Sequence, residues 1–270
     1  MMGAGIKIRG KRLFNKESGM SLTVALDHGA IAGPLKGIES PIEVVRECFE
    51  SGVDAILTTK GVVRATAGEW PRDVALIYRL TGGFTLLGGG FREEVISEAE
   101  TALRYGASYG ALTVKFGHPD EGRLIKQASL AIDQCHALGL PVMLEVMAKG
   151  RIDGKEFPPN DPQAIKMIAR MGSELGADVI KTYYTGSRET FREVVAGCPV
   201  PILVLGGEEG RGKRQLLEEV KGSLEAGGRG VAIGRNIWSS GETAAMLQAL
   251  KGIVHTGWSV EEAYARVSSK

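Results

Sequence analysis

Lys181 is the residue from which a chemistry can be built. It lies in ADVIKTYYTG (Ala177–Gly186), an apolar stretch that reads as a strand over Asp178–Tyr184 and runs into a glycine turn. Burying an ammonium costs several kcal/mol unless it is paired or loses its proton. A strand-end lysine can avoid that cost by reaching out to water. Held in a cavity, it can instead attack a ketone to form a Schiff base, whose iminium draws electrons from the neighbouring carbon–carbon bond. The amine must be deprotonated to attack, so desolvation or a second cation nearby favours it. A carboxylate must then move protons during carbinolamine formation and C–C cleavage. Lys115 is the candidate second cation; Asp27 and Glu145 are the candidate carboxylates.

These residues meet only if the elements that carry them form a ring. Strands are expected at about Leu22–Asp27, Ala55–Lys60, Phe84–Leu87, Tyr109–Lys115, Val142–Met147, Asp178–Tyr184, Ile202–Leu205 and Gly230–Ile233. A glycine that ends a helix precedes most of them, as in Ser51-Gly52-Val53-Asp54, Leu175-Gly176-Ala177-Asp178 and Ala196-Gly197-Cys198-Pro199. Amphipathic stretches of helical length, such as Arg123–Leu138, Pro162–Leu175 and Lys213–Ala226, lie between them. Strands alternating with helices in this number favour a single (β/α)8 TIM barrel over an open sheet. The stretch Arg64–Arg79 contains Pro71 and shows only a short helical pattern around Asp73–Arg79.

Alternation then assigns faces. Large residues such as Val24 and Leu26 should face the helices, which turns Thr23, Ala25 and Asp27 inward. The same rule turns Thr113 and Lys115, Met143, Glu145 and Met147, and Val179, Lys181 and Tyr183 inward. Asp27, Lys115, Glu145 and Lys181 thus converge on the C-terminal mouth, where such barrels place their active sites. A buried ionic cluster filling the top layer is the structural alternative, a costly one beside apolar packing. LVLGGEE (Leu203–Glu209) and VAIGRN (Val231–Asn236) both end a strand in glycine. At the seventh and eighth positions, such loops cradle phosphate with backbone N–H groups, and Arg235 can add a bidentate contact.

Two motifs are decoys. Gly207 to Lys213 has P-loop spacing, but Arg214 stands where a Mg²⁺-binding Ser/Thr is needed and two glutamates would repel phosphate. Gly228-Arg229-Gly230 enters a strand instead of leaving one, unlike a dinucleotide fingerprint. The histidines show no metal spacing, and only His28, beside Asp27, is placed to see substrate; no metal or cofactor is expected.

Composition narrows the classes. The chain has 270 residues and a formal net charge of +1, which gives no reason to expect nucleic acid or an anionic membrane as partner. No apolar run approaches the length of a membrane span, and the basic start lacks the apolar stretch of a signal peptide. Cys48, Cys135 and Cys198 are far apart and odd in number, as expected of free thiols in the cytoplasm. No linker divides the chain, so one domain over 1–270 is expected, with residues 1–20 as an N-terminal extension and the polar loop 148–162 placed to act as a lid.

The sequence resembles the archaeal-type class I aldolase family, which includes fructose-1,6-bisphosphate aldolases, aminodideoxyheptulosonate synthases and the thiolase that breaks down phosphorylated autoinducer-2. The likeness spans nearly the whole chain: RLFNKESG (Arg12–Gly19), ALDHGAIAGP (Ala25–Pro34), TKGVVR (Thr59–Arg64), the Lys181 strand, AGCPVPILVLGG (Ala196–Gly207) and GVAIGRNIW (Gly230–Trp238). The resemblance implies that Lys181 is the Schiff-base lysine, with Asp27 beside it and Gly206, Gly207, Gly234 and Arg235 around a substrate phosphate. It also implies a cofactor-independent enzyme that assembles into homo-oligomers, in this family large rings such as decamers. One position departs from the family. Its aldolases carry a proton-transferring tyrosine near the end of the fifth strand, in a stretch like YPRG; here the stretch is MAKG, with Met147 in the tyrosine's place. A thioether cannot exchange protons usefully.

The expected function is therefore a lysine-dependent C–C lyase or transferase acting on a small phosphorylated ketose or keto compound. A rival keeps the lysine but transfers an acyl group from a phosphorylated dione to coenzyme A. A second rival is a silent barrel that binds a sugar phosphate.

Overall fold

The eight parallel strands close on themselves, each hydrogen-bonded to its neighbours in chain order and the last to the first. They are β1 (Ser21–Leu26), β2 (Ala55–Thr58), β3 (Ala75–Arg79), β4 (Tyr109–Phe116), β5 (Val142–Ala148), β6 (Val179–Thr182), β7 (Ile202–Val204) and β8 (Gly230–Ile233). The computed structural model describes residues 3–88, 90–152, 155–207 and 212–268. The chain is a TIM barrel with helices between its strands.

Alternation sorts the strand residues into two apolar layers. Leu22, Val24 and Leu26 of β1 join the layer beneath the helices, as do Leu112 and Val114 of β4. Ala25, Ala55, Ala75, Ala111, Met143, Val179 and Ala232 fill the barrel's interior, where small side chains leave room above them. The N-terminal segment closes the lower end. A helix over Ala4–Gly10 and a 3-10 turn over Lys11–Leu13 bring Leu13 into the interior cluster. Tyr109 at the start of β4 donates its hydroxyl hydrogen to the Gly10 carbonyl at 2.9 Å.

The third strand differs from expectation. Phe84–Leu87 lies in a loop, and the strand is Ala75–Arg79, within the stretch that shows a helical pattern. Val74, Leu76 and Tyr78 face the helices while Ala75 and Ile77 face inward, so the alternation is present. A run this short satisfies either period, and pairing with β2 and β4 decides it. Of the helix-ending glycines, Gly52 and Gly176 have φ of 66° and 100°. Gly197 does not: it is the last residue of the helix Arg188–Gly197 and has no positive φ.

Two short antiparallel ribbons rise from the C-terminal side. One pairs Thr81–Gly82 with Glu94–Val95. The other pairs Arg151–Ile152 with Lys155–Glu156 within the stretch expected to act as a lid, whose residues 153 and 154 lie outside the described residues.

Candidate active site

Register brings the chemistry together. Thr113, Glu145 and Lys181 occupy paired positions on β4, β5 and β6, so their inward side chains stand at one level. Lys181 Nζ lies 2.8 Å from Glu145 Oε1, and the Thr113 hydroxyl donates to Glu145 Oε2 at 3.0 Å. Lys181 is 4% exposed, so this ammonium does not reach out to bulk water.

A residue that sequence reasoning missed organises the rest. Arg79, the last residue of β3, donates from Nη1 to Asp27 Oδ2 at 2.9 Å and to Glu145 Oε2 at 3.4 Å. Its Nη2 donates to Glu93 Oε1, and its Nε donates to the Thr81 carbonyl at 3.0 Å. A strand at Phe84–Leu87 would leave Arg79 outside the barrel; the inward alternation Ala75, Ile77, Arg79 is the signal that places it. Glu93, fully buried, sits just before the ribbon residue Glu94, where no sequence periodicity marks it.

Burial and neighbours set the charges. Burial alone would raise the Asp27 carboxyl, but the His28 imidazole, the Arg79 guanidinium and the Lys181 ammonium hold it far below the usual carboxylate range. Burial likewise opposes ionisation of Glu145, and Lys181 and Arg79 outweigh it, so its pKa falls. For Glu93 the balance reverses: burial wins over Arg79 and the pKa rises. Among three carboxylates around one guanidinium, Glu93 is thus the one whose pKa burial raises instead of its neighbours lowering it.

These groups line a cavity of about 180 Å³ at the C-terminal mouth, with Lys181, Glu145, Asp27 and Arg79 in its wall. Its opposite rim carries Gly206, Gly207, Gly234 and Arg235. Gly206 and Gly234 are there for space, and Gly207 for its φ of 72°. A Cβ on Gly206 would stand 2.5 Å from Asn236 Oδ1, and one on Gly234 would stand 2.7 Å from the Ala25 carbonyl. His28 also lines the cavity, its Nδ1 3.4 Å from Asp27 Oδ1 and its ring edge-on to Trp238. The indole of Trp238 donates to the Ala25 carbonyl at 3.1 Å, tying the segment after β8 to β1.

Lys115 stands elsewhere. Its inward register is as expected, but it is the penultimate residue of β4 and rises to the rim, where its Nζ lies 4.9 Å from the centre of the Phe91 ring. It is absent from the cavity wall, and the second cation at Glu145 is Arg79. Met147 and Tyr183 both line the cavity. The P-loop-like stretch falls largely on residues 208–211, outside the described residues, but Lys213 is described: it pairs with Glu242 and donates to the Val267 carbonyl at 3.2 Å. Among the described residues, no group of three or more His, Cys, Asp or Glu side chains is arranged to hold a metal ion. No described helix is long and apolar enough to cross a membrane.

Comparison with known proteins agrees with the fold. Residues 21–240 match the family model described as DeoC/LacD family aldolase. The chain is 32% identical over 246 residues to the 2-amino-3,7-dideoxy-D-threo-hept-6-ulosonate synthase 1 of Archaeoglobus fulgidus, covering 91% of this chain and 90% of that protein. It superposes on the crystal structure of an archaeal fructose 1,6-bisphosphate aldolase with a TM-score of 0.82 at 28% identity, covering 93% of this chain and 100% of that one. A Schiff-base-forming fructose-1,6-bisphosphate aldolase, solved with its reaction intermediates, gives a TM-score of 0.81 at 28% identity, covering 92% and 99%.

Proposed function

The chain belongs to the DeoC/LacD family of aldolases, and from that premise we propose that it cleaves or forms a carbon–carbon bond in a small phosphorylated keto compound through a Schiff base on Lys181. The observation that carries this reading is the 2.8 Å contact between Lys181 and Glu145 inside the cavity. It gives the amine a base that can take its proton at the moment of attack.

The steps follow from the contacts. Glu145 accepts a proton from the Lys181 ammonium, and the freed amine adds to the ketone carbon, a second proton passing from its nitrogen to the ketone oxygen to give the carbinolamine. Glu145 returns the proton to the carbinolamine hydroxyl, which leaves as water, and the iminium forms. In the cleavage direction Glu145 then takes the proton from the hydroxyl on the carbon beyond the breaking bond. The bond's electron pair passes into the iminium as an enamine, and an aldehyde departs.

Asp27 has another part. Held far below the ordinary carboxylate range by its neighbours, it stays ionised, and its oxygens face Arg79 and His28 where Glu145 faces the amine. It anchors Arg79 and sets a fixed negative charge beside the iminium. The missing tyrosine at Met147 is thereby replaced by Glu145, which has the amine on one oxygen and Arg79 and Thr113 on the other. Gly206, Gly207, Gly234 and Arg235 hold the substrate phosphate by backbone N–H groups and a guanidinium.

Borohydride tests this directly. With dihydroxyacetone phosphate it should reduce the iminium to a stable adduct on the peptide containing Lys181, and Lys181→Ala should carry none. Absence of an adduct with phosphorylated ketones in the wild type would refute the reading.

A further inference from the structure

The wall facing the phosphate rim is apolar and acidic. In the ring of eight, β7 and β8 lie four places from β3 and β4, so the rim loops look across the cavity at the loop that follows β3. The Thr81–Gly82 and Glu94–Val95 ribbon holds that loop at its base, and both Phe84 and Phe91 turn into the cavity from it. Their rings meet at 5.1 Å between centroids. The Leu86 N–H donates to the Ile31 carbonyl at 3.1 Å, which brings Ile31 into the same wall. Met147 continues it from β5.

Of the cations that line the cavity, none on this wall is uncommitted among the described residues. Arg79 is shared by Asp27, Glu93 and Glu145. Lys115 sits over the Phe91 ring and does not line the cavity. Arg235, on the opposite rim, is the lining guanidinium without a carboxylate partner among the described residues. A second phosphate on the far half of a substrate would meet aromatic carbon and carboxylates, and would lose its hydration without a counter-charge.

We propose, resting on the aldolase reading above, that the aldehyde half of the substrate is unphosphorylated and largely apolar, aliphatic or aromatic, and is held by Phe84, Phe91, Ile31 and Met147. In the synthetic direction a ketone phosphate condenses with the Lys181 amine and releases water. Glu145 removes the proton from the carbon next to the iminium, giving an enamine. The enamine carbon attacks the aldehyde carbon, the aldehyde oxygen takes that proton from Glu145, and water hydrolyses the new iminium. The product is a ketose monophosphate with an apolar tail.

The test uses the full chain and dihydroxyacetone phosphate as donor, with butanal, benzaldehyde and glyceraldehyde 3-phosphate as competing acceptors, and products separated by mass. The two apolar aldehydes should be used with kcat/KM on the order of tenfold or more above the phosphorylated one, the scale on which an apolar pocket discriminates. Phe91→Ser should shrink that ratio, and Phe84→Ser should do so independently should Phe91→Ser fold poorly. Preference for glyceraldehyde 3-phosphate, or a ratio unmoved by both variants, would overturn the assignment. Borohydride trapping separates the two levels: a Lys181 adduct with the wrong acceptor preference sinks this inference alone, while no adduct sinks the aldolase reading and this inference with it.

Discussion

Glu145 and Lys181 are register partners on adjacent parallel strands, and their charged ends meet at 2.8 Å with the amine almost wholly out of water. Paired positions on parallel strands point the same way, so one hydrogen-bond register is enough to set amine and carboxylate side by side. The contact is thus written into the sheet itself. Arg79 makes the arrangement tolerable, because without it Asp27 and Glu145 would share one ammonium.

Glu145→Gln keeps the shape and removes the base. We expect kcat to fall about 10²- to 10⁴-fold, the usual worth of a positioned proton-transfer group, with KM changed far less. Steady-state kinetics decides it. A fall in kcat of only a few-fold would mean that another group moves the protons.

Arg79→Met tests the scaffold. It leaves Asp27, Glu93 and Glu145 facing one another without the guanidinium. Removing one partner from a buried charge cluster costs about 3–5 kcal/mol, read as a lower urea midpoint at neutral pH. Arg79→Lys should recover only part of that. One ammonium cannot reach Asp27 and Glu93 from the two ends of a planar fork.

What the sequence hid and what it displayed have physical causes here. Asp27, Glu145 and Lys181 were legible because large residues at alternate positions, such as Val24 and Leu144, can only face the helices. Arg79 was not, because VALIYR is too short to separate the two periods and its strand identity comes from pairing on both sides. Lys115 shows the opposite error. Its register was right, but register says which face a side chain takes and not how far up the strand the cavity ends. Glu93 lies in a segment whose place is set by the Thr81–Gly82 ribbon, a contact between residues with no pattern to connect them.

The carboxylates also predict how stability responds to acid. Asp27 and Glu145 have folded pKa values below their ordinary values of 3.8 and 4.5. Below those ordinary values the unfolded chain takes up protons that the folded one refuses. Their stabilisation is therefore complete above about pH 5 and drains away as the pH falls through the folded values. Glu93 works in the other sense: its folded pKa lies above 4.5, so its contribution is present below that value and lost as the pH rises through the folded one. Urea unfolding followed from pH 6 to pH 3 should show stability falling toward acid. Asp27→Asn should flatten that fall, and Glu93→Gln should remove a decline on the less acidic side. An Asp27→Asn profile parallel to wild type would contradict the charge assignment.

The phosphate rim can be tested without touching the amine. A methyl group at Gly206 would stand 2.5 Å from Asn236 Oδ1 and 2.9 Å from Ile233 Cγ2, so Gly206→Ala must push the rim apart. Arg235→Gln keeps a donor but loses the charge, and a hydrogen bond to a charged group is worth about 1.5–3 kcal/mol. That corresponds to a rise in KM for the phosphorylated ketone of about 10- to 150-fold, with kcat moved much less because neither residue reaches the reacting carbon. Inorganic phosphate supplies the control. It should compete with substrate in the wild type and lose that ability in both variants; equal inhibition of wild type and Arg235→Gln would mean that the phosphate binds somewhere other than between β7 and β8.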